Sequence, residues 1–442
     1  MMQQKHPLPR TTDIEISPPP LKRRRLTQQP NQASDVLHVK PSSTGTMGQL
    51  MKNKFRIFSW NINGLSPFLT SMPSTRKMTP SLTEPASKPR IYVKNKSRLE
   101  EYFPSWQHWA DSKNPTLLGA PYSLRALLSR HDWPEVVFLQ ELKVSPRSRN
   151  IRMKELTTAL NNPLNTDDSV SDDRTYKLFS VTPRDIYNAK AFGMRMYGVA
   201  TAIRKDFLNK WVAVFREVNW DTEGRVSVVE MRTTPKGQQG KGYNSHMKPL
   251  ALINVYAVNG TDKSYFDPNS GNPHPTWRTR HDRKRAFHSL LRDECLTLEA
   301  RGFNVVIVGD FNISRGPADG FPDLRSHPKV HCGHRADFNL KFFGEEDNKR
   351  AGAYLEPQDE KNKKNEKCLD AVDVFRAKYG LEPKYTFYST AMEFGTKCDR
   401  VDMAICSKQL WEDRRVIDMQ IFNTKEDRGP SDHVPMYVDI AL

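Results

Sequence analysis

The chain has 442 residues, of which 27% are charged and 37% apolar, and 68 Lys/Arg against 51 Asp/Glu give a formal net charge of +17. That length fits one large or two ordinary domains, and no run of 18 apolar residues is present to cross a membrane. Five cysteines with no CxxC spacing fit a reducing compartment rather than a disulfide framework, no secretory leader is expected, and the basic excess suits a polyanionic partner.

Residues 1–54 are rich in Pro, Gln, Ser and Thr and hold nine Lys/Arg against three Asp/Glu. Such a composition buries too little to fold, so 1–52 are predicted to be a disordered basic tail. Within it PPPLKRRRL (Pro18 to Leu26) reads as a nuclear import signal, which predicts a nuclear location. The rest of the chain still carries +11, so the folded part, 53–442, is itself basic.

FRIFSW predicts the first strand, which runs into Asn61. An insertion near 66–120 follows, rich in proline; its Trp106 and Trp109 share one helix face and are expected to cap the core. SLRALLSRH reads as a short helix and PEVVFLQE as the second strand, which ends on Glu141. VATAIRK, VSVVEM, ALINVYAV and NVVIVGD read as further strands, with a glycine-marked loop near 232–249. RTRHDRKRAFHSLLRDECLTLEARG reads as a helix that starts strongly basic and stops at Gly302. Residues 315–368 read as a polar insertion, and CLDAVDVFRAKYG as a helix closed by Gly380. His331, Cys332 and His334 lie close together, but a fourth zinc ligand at suitable spacing is missing.

Apolar runs end on Asn61, Glu141, Asp310 and Asn312, while DRVD (Asp399 to Asp402) and SDH (Ser431 to His433) precede apolar runs. A buried strand that ends in a carboxylate exposes it at the sheet edge. If the last two strands run antiparallel to the others, all six motifs gather on one edge and form an oxygen-rich cleft with a histidine, suited to a hard cation and a phosphate. WNINGL, LQELK, GDFNIS and SDHVP resemble, in wording and order, the signatures of the exonuclease III family within the endonuclease/exonuclease/phosphatase superfamily, which includes the apurinic/apyrimidinic (AP) endonucleases. The resemblance spans Phe55 to Leu442 with large insertions. It implies an α/β fold, a four-layer sandwich of two mixed β-sheets flanked by helices.

The resemblance also implies roles. Glu141, Asn63 and Asp432 stand at the metal positions, for Mg²⁺ with Mn²⁺ able to substitute. Asp310 orients or deprotonates the attacking water, Asn61 orients Asp310, and Asn312 stabilises the phosphate. His433 donates to a phosphate oxygen, with Asp402 as its carboxylate partner. Tyr256 binds the scissile phosphate and Asn259 shapes the cleft, with Val258 where the family usually has Pro. Phe387 and Val401 match apolar pocket positions, and Arg400 is expected on the substrate side, pairing with Asp399. Asp399 itself stands where AP-specific members usually carry Trp, which predicts weaker selection of abasic sugars and more 3′-end processing. The implied activity is hydrolysis of phosphodiesters in double-stranded DNA, abasic or 3′-blocked, during base excision repair. Two alternatives are action on RNA or another phosphoester, and a non-catalytic nucleic-acid-binding protein on the same fold. No membrane partner is expected.

Overall fold

Leu250–Tyr256 and Asn304–Asp310 are buried at every position, so the sheet that carries them needs cover on both faces. The computed structural model, which describes residues 53–69, 122–168, 170–190, 195–237, 247–354 and 367–442, meets that need with layers. Its strands in chain order are β1 (Lys54–Asn61), β2 (Val136–Gln140), β3 (Tyr176–Val181), β4 (Val199–Arg204), β5 (Val212–Glu217), β6 (Val226–Met231), β7 (Leu250–Tyr256) and β8 (Asn304–Asp310), then β9 (Gly320–Phe321), β10 (Ala371–Asp373), β11 (Phe387–Tyr388), β12 (Cys398–Asp399), β13 (Asp402–Ser407), β14 (Val416–Ile421) and β15 (Met436–Ala441). Two six-stranded mixed sheets result, ordered β14-β15-β1-β2-β4-β3 and β10-β13-β8-β7-β6-β5, with a small third sheet β11-β12-β9.

Strand alternation divides the side chains between layers. Phe55, Ile57, Val136 and Phe138 of the first sheet meet Leu252, Val306 and Val308 of the second in one central core. Their neighbours Phe58, Trp60, Val137 and Leu139 face outward, under helices α1 (Leu124–Arg130) and α2 (Arg149–Asn161). On the far side Val305 and Ile307 pack against Phe287, Leu291, Cys295 and Leu298 of α4 (Arg280–Ala300), while α3 (Lys205–Trp211) links β4 to β5. The expected four-layer sandwich is therefore what the chain forms.

Two antiparallel pairings bring the motifs together. β13 runs antiparallel to β8, so Asp402 stands opposite Asp310, and β15 runs antiparallel to β1, which brings the preceding SDH turn to the end of β1. Beneath that edge lies a buried polar bridge between the sheets, in which Gln140 Nε2 donates to Asn254 Oδ1 (2.8 Å) and Ser59 Oγ (3.0 Å). Gly309 has φ +144° and lies so close to this bridge that a Cβ would sit 2.1 Å from the Val255 carbonyl oxygen. Only glycine fits immediately before Asp310.

Two readings change. CLDAVDVFRAKYG is not one helix: Ala371–Asp373 form β10, and the short helix Val374–Tyr379 begins only after Asp373, whose carboxylate caps it by accepting from the Arg376 N–H (3.2 Å). Residues 315–354, within the stretch read as a polar insertion, are not all polar surface either. Helix α5 (Val330–Phe342) places Phe338 and Phe342 in the core shared with Phe287. The tail with PPPLKRRRL, Trp106 and Trp109, residues 70–120 of the stretch 66–120 and residues 238–246 of the stretch 232–249 lie outside the described residues. Among the described residues no helix is long and apolar enough to cross a membrane.

Candidate active site

Three site residues, Asn63, Glu141 and Asn312, have positive φ (51°, 60° and 52°), so each turns the chain sharply just past a strand. The turns leave the strand-end side chains facing one another across the edge. Asn61 is fully buried and is the hub. Its Nδ2 donates to Asp310 Oδ2 (2.9 Å) and Glu141 Oε2 (3.1 Å), and lies 3.4 Å from His433 Nε2. Its backbone oxygen accepts from Ser431 Oγ (2.6 Å), and that hydroxyl in turn accepts from the His433 N–H (3.0 Å). The serine of SDH thus ties the histidine to β1.

Asp310 is 1% exposed and its Oδ1 accepts from the Asn312 N–H (2.7 Å). Burial, then the neighbouring Asp402 charge, push its pKa up to about 7, against the pull of His433 and of its hydrogen bonds. His433 Nδ1 lies 2.7 Å from Asp402 Oδ2, and its Nε2 lies 4.0 Å from both Asp310 Oδ2 and Asp432 Oδ1. Burial works against its protonation, but Asp402, Asp310 and Asp432 outweigh burial and raise it to about 10. His433 is therefore an imidazolium at neutral pH, with Nδ1 donating to Asp402 and Nε2–H available to a ligand.

Asp310, Asp432 and His433 open into a cleft of about 780 Å³ that Glu141, Tyr256, Asn259, Asn312, Phe387 and Val401 also line, with Asn61 and Asp402 behind them. Tyr256 stands opposite Asp310 across the parallel β7–β8 pair. Burial, then the Glu141 charge, raise its phenol well above the ordinary value, so it stays a donor. Asn312 is fixed by its Nδ2 donating to the Ala257 carbonyl (2.9 Å). Phe387 packs edge-on to His433 with ring centroids 5.3 Å apart.

Arg400 is the exception. It is fully buried, Nε at 2.7 Å from Asp319 Oδ1 and Nη2 at 2.7 Å from Asp373 Oδ2, so it holds the core together and does not reach the substrate side. Asp399 does line the cleft, but its partner is the Ser314 hydroxyl (3.2 Å) rather than Arg400. Burial raises its pKa. Two cationic cleft residues carried no motif: Lys284 and Arg335. Of these, Lys284 had a legible signal, since it lies one helical turn after Arg280 in the basic start of α4.

The donor set fits a hard divalent cation. Asp432 Oδ1 is buried with no hydrogen-bond partner, in a side chain that lines the cleft. Glu141 Oε1 is balanced by Lys143 Nζ (2.8 Å), which also donates to Asn63 Oδ1, so these two oxygens converge on one positive charge. Asp310, Asp402 and His433 also come within metal-binding distance of one another, and among the described residues no zinc-type Cys/His group does. The carboxylate and amide oxygens of Glu141, Asp432 and Asn63, with no thiolate among them, suit a hard divalent ion.

A family model described as "Endonuclease/Exonuclease/phosphatase family" matches residues 58–433. The chain belongs to this family. Its nucleases are generally dependent on a divalent metal. No curated protein matches the sequence. Among solved structures, the AP endonuclease LMAP from Leishmania major is similar at 15% identity and TM-score 0.49, over 89% of each chain. The catalytic domain of Xenopus laevis APE2 is similar at 17% identity and TM-score 0.48, over 88% of this chain and 93% of that one. The 3′ phosphatase NExo from Neisseria, bound to a product DNA hairpin, is similar at 15% identity and TM-score 0.44, over 88% of this chain and all of the other (100%). As a member of this family the protein is a phosphoesterase.

Proposed function

We propose that the protein is a Mg²⁺-dependent DNA phosphodiesterase of base excision repair that acts at abasic sites and on 3′ ends. One observation carries this reading: a buried carboxylate, Asp310, is aimed by the Asn61 amide and the Asn312 N–H at the cleft that an Asp402-backed imidazolium also faces. That is the arrangement an in-line displacement at phosphorus needs. Asp310, with its pKa near 7, orients the water and takes its proton. His433 and Tyr256 donate to the phosphate oxygens as negative charge builds up there, and Asn312 holds the phosphate beside them. Glu141 and Asp432, with Asn63 behind Lys143, would hold a cation that offsets charge on the phosphate and the leaving oxygen. The positive side of the cleft (Lys190, Lys263, Lys284, Arg325, Arg335) favours a nucleic acid over a neutral ester, which supports DNA as substrate.

Phe387 and Val401 offer only a partial apolar wall for an extrahelical sugar, and the third side is the Asp399 carboxylate rather than an aromatic ring. We therefore place 3′-end processing ahead of abasic incision. Full-length protein with Mg²⁺ is assayed on matched duplexes carrying an abasic analogue, a recessed 3′ end or a 3′-phosphate. The expected order is faster turnover of the two 3′-end substrates. Hydrolysis of RNA or a phospholipid headgroup in preference to all three duplexes would replace this reading. PPPLKRRRL supports action in the nucleus; a chain lacking residues 1–52 should keep its nuclease activity and lose nuclear accumulation in cells, and unchanged accumulation would assign import to another element.

A further inference from the structure

The cleft contains a second cluster of groups that the hydrolytic chemistry does not use. Lys284 of α4, Arg325 of the loop before α5, and His331, His334 and Arg335 from the first turns of α5 all line it. Their charges are poorly balanced. Lys284 Nζ donates to the Asn312 carbonyl (2.7 Å), and Arg335 donates to the carbonyls of Ser314 (3.1 Å) and Arg325; these are backbone acceptors, not carboxylates. The contrast is close by: Arg225, Arg280 and Arg283 share the fully buried Glu223 carboxylate at 3.0, 2.7 and 3.3 Å. Around Lys284, Arg325 and Arg335 the facing carboxylates are Asp310, committed to catalysis, Asp399, committed to Ser314, and Asp337, committed to His288 and Lys341.

His334 adds an independent sign. It is 2% exposed, lines the cleft, and neither ring nitrogen has a hydrogen-bond partner. Its ring is wedged against His281, with centroids 4.9 Å apart, and against the backbone at Gly260, where a Cβ would come 2.8 Å from His334 Cε1 and 2.7 Å from His281 Nδ1. Close packing rather than hydrogen bonding holds it, so its nitrogens are free for a ligand. A metal does not suit the cluster, because three cations surround it. Burial holds Lys284 down to about 7 against the pull of Asp310, with Arg325 and Arg335 adding to it; burial, then neighbouring positive charges, hold His331 down to about 4 and His334 lower still. An anion placed among these groups would favour their protonated forms.

We propose that Lys284, Arg325, His331, His334 and Arg335 form a second phosphate subsite, which holds a non-scissile phosphate of the same nucleic-acid strand whose scissile phosphate lies at Asp310. The inference rests on the proposed nucleic-acid substrate. Lys284 couples the two subsites, since it reaches the backbone of Asn312 at the first while standing in the second. The occupant is either an internal phosphodiester or a terminal phosphate, and both present the same anionic oxygens.

The test is a binding measurement on the full chain in EDTA, where no turnover interferes. Each phosphate flanking the cleavage position is replaced in turn by an uncharged methylphosphonate, and a second pair of duplexes differs only in a terminal phosphate. Arg325→Gln changes an exposed side chain; His334→Asn changes a buried one, so its thermal unfolding is compared with wild type before binding is read. One substitution position should weaken wild-type binding about tenfold, in line with loss of a charge-assisted hydrogen bond. Both variants should bind about tenfold more weakly and be indifferent to that position alone, while remaining sensitive to the others. An internal position identifies a phosphodiester; sensitivity only to the terminal phosphate identifies that group. Variants that bind like wild type, or that respond to every position as wild type does, would overturn the subsite. If wild-type protein hydrolyses no duplex once Mg²⁺ is supplied, the proposed function fails, and the binding result still decides the subsite by itself.

Discussion

Asp402→Asn separates charge from shape at His433, because the amide is nearly the same size and its oxygen still accepts from Nδ1. In the wild type the carboxylate lies 2.7 Å from that nitrogen, with both side chains almost fully buried (3% and 7% exposed). His433 is raised from 6.5 to about 10 in spite of burial, with Asp402 first among the three carboxylates responsible. That difference corresponds to about 5 kcal/mol in favour of imidazolium, and assigning roughly half to Asp402 puts its removal at about 2–3 kcal/mol. A histidine with a raised pKa loses its proton as pH rises through that value, so wild-type activity should fall near pH 10 and the variant's about two pH units lower. Asp310 moves too: Asp402 is the second cause, after burial, of its rise to about 7, so the acid limb of the profile should also shift downward. The whole bell of kcat/KM against pH is thus displaced toward acid, as expected for a coupled set of groups. The assay is kcat/KM on a 3′-blocked duplex from pH 5 to 10 with Mg²⁺ saturating. A uniform loss of rate with both limbs in place would refute the electrostatic role and leave Asp402 a purely geometric support.

Three further outcomes are expected. Asp310→Asn should lower turnover by about 10²–10⁴-fold while DNA affinity stays within a few-fold of wild type, since lysines and arginines dominate phosphate binding; a variant with more than about a tenth of wild-type turnover would remove Asp310 from the base role. EDTA should abolish hydrolysis and Mg²⁺ or Mn²⁺ restore it, because Glu141 and Asp432 supply oxygen ligands only; full activity in EDTA would falsify the metal assignment. Arg400→Met should lower the thermal midpoint, with a cost of about 3–5 kcal/mol for leaving Asp319 and Asp373 partly unpaired in the core, yet leave the DNA affinity of the folded protein unchanged. Weaker DNA binding at undiminished stability would restore Arg400 to the substrate side.

The sequence by itself determined which chemistry is present. Asn61, Glu141 and Asp310 end apolar runs while Asp402 and His433 precede them, so strand periodicity together with antiparallel last strands was enough to read them as one sheet edge. The four layers followed from the resemblance of WNINGL, LQELK, GDFNIS and SDHVP to the exonuclease III signatures, and the structure shows why they are needed: β7 and β8 are buried at every position and demand cover on both faces. Even part of the Arg400 error was legible: Asp399 and Val401 line the cleft, and the residue between them points the other way. What no local pattern contained was the identity of long-range partners. Arg400 is claimed by Asp319, 81 positions away, and by Asp373, 27 away. Asn61 meets Asp310 across 249 positions. Such pairings depend on register and on which strands become neighbours. Tertiary structure alone decided that Asp402 stands opposite Asp310, and so that burial and a second carboxylate together lift the Asp310 pKa toward neutrality. It alone brought Lys284 and His334, 50 positions apart, to the same cleft, the first bonded to a backbone carbonyl and the second with no hydrogen bond, because α4 and α5 pack side by side there. Period and composition are properties of neighbours in sequence, whereas desolvation and charge pairing are properties of neighbours in space.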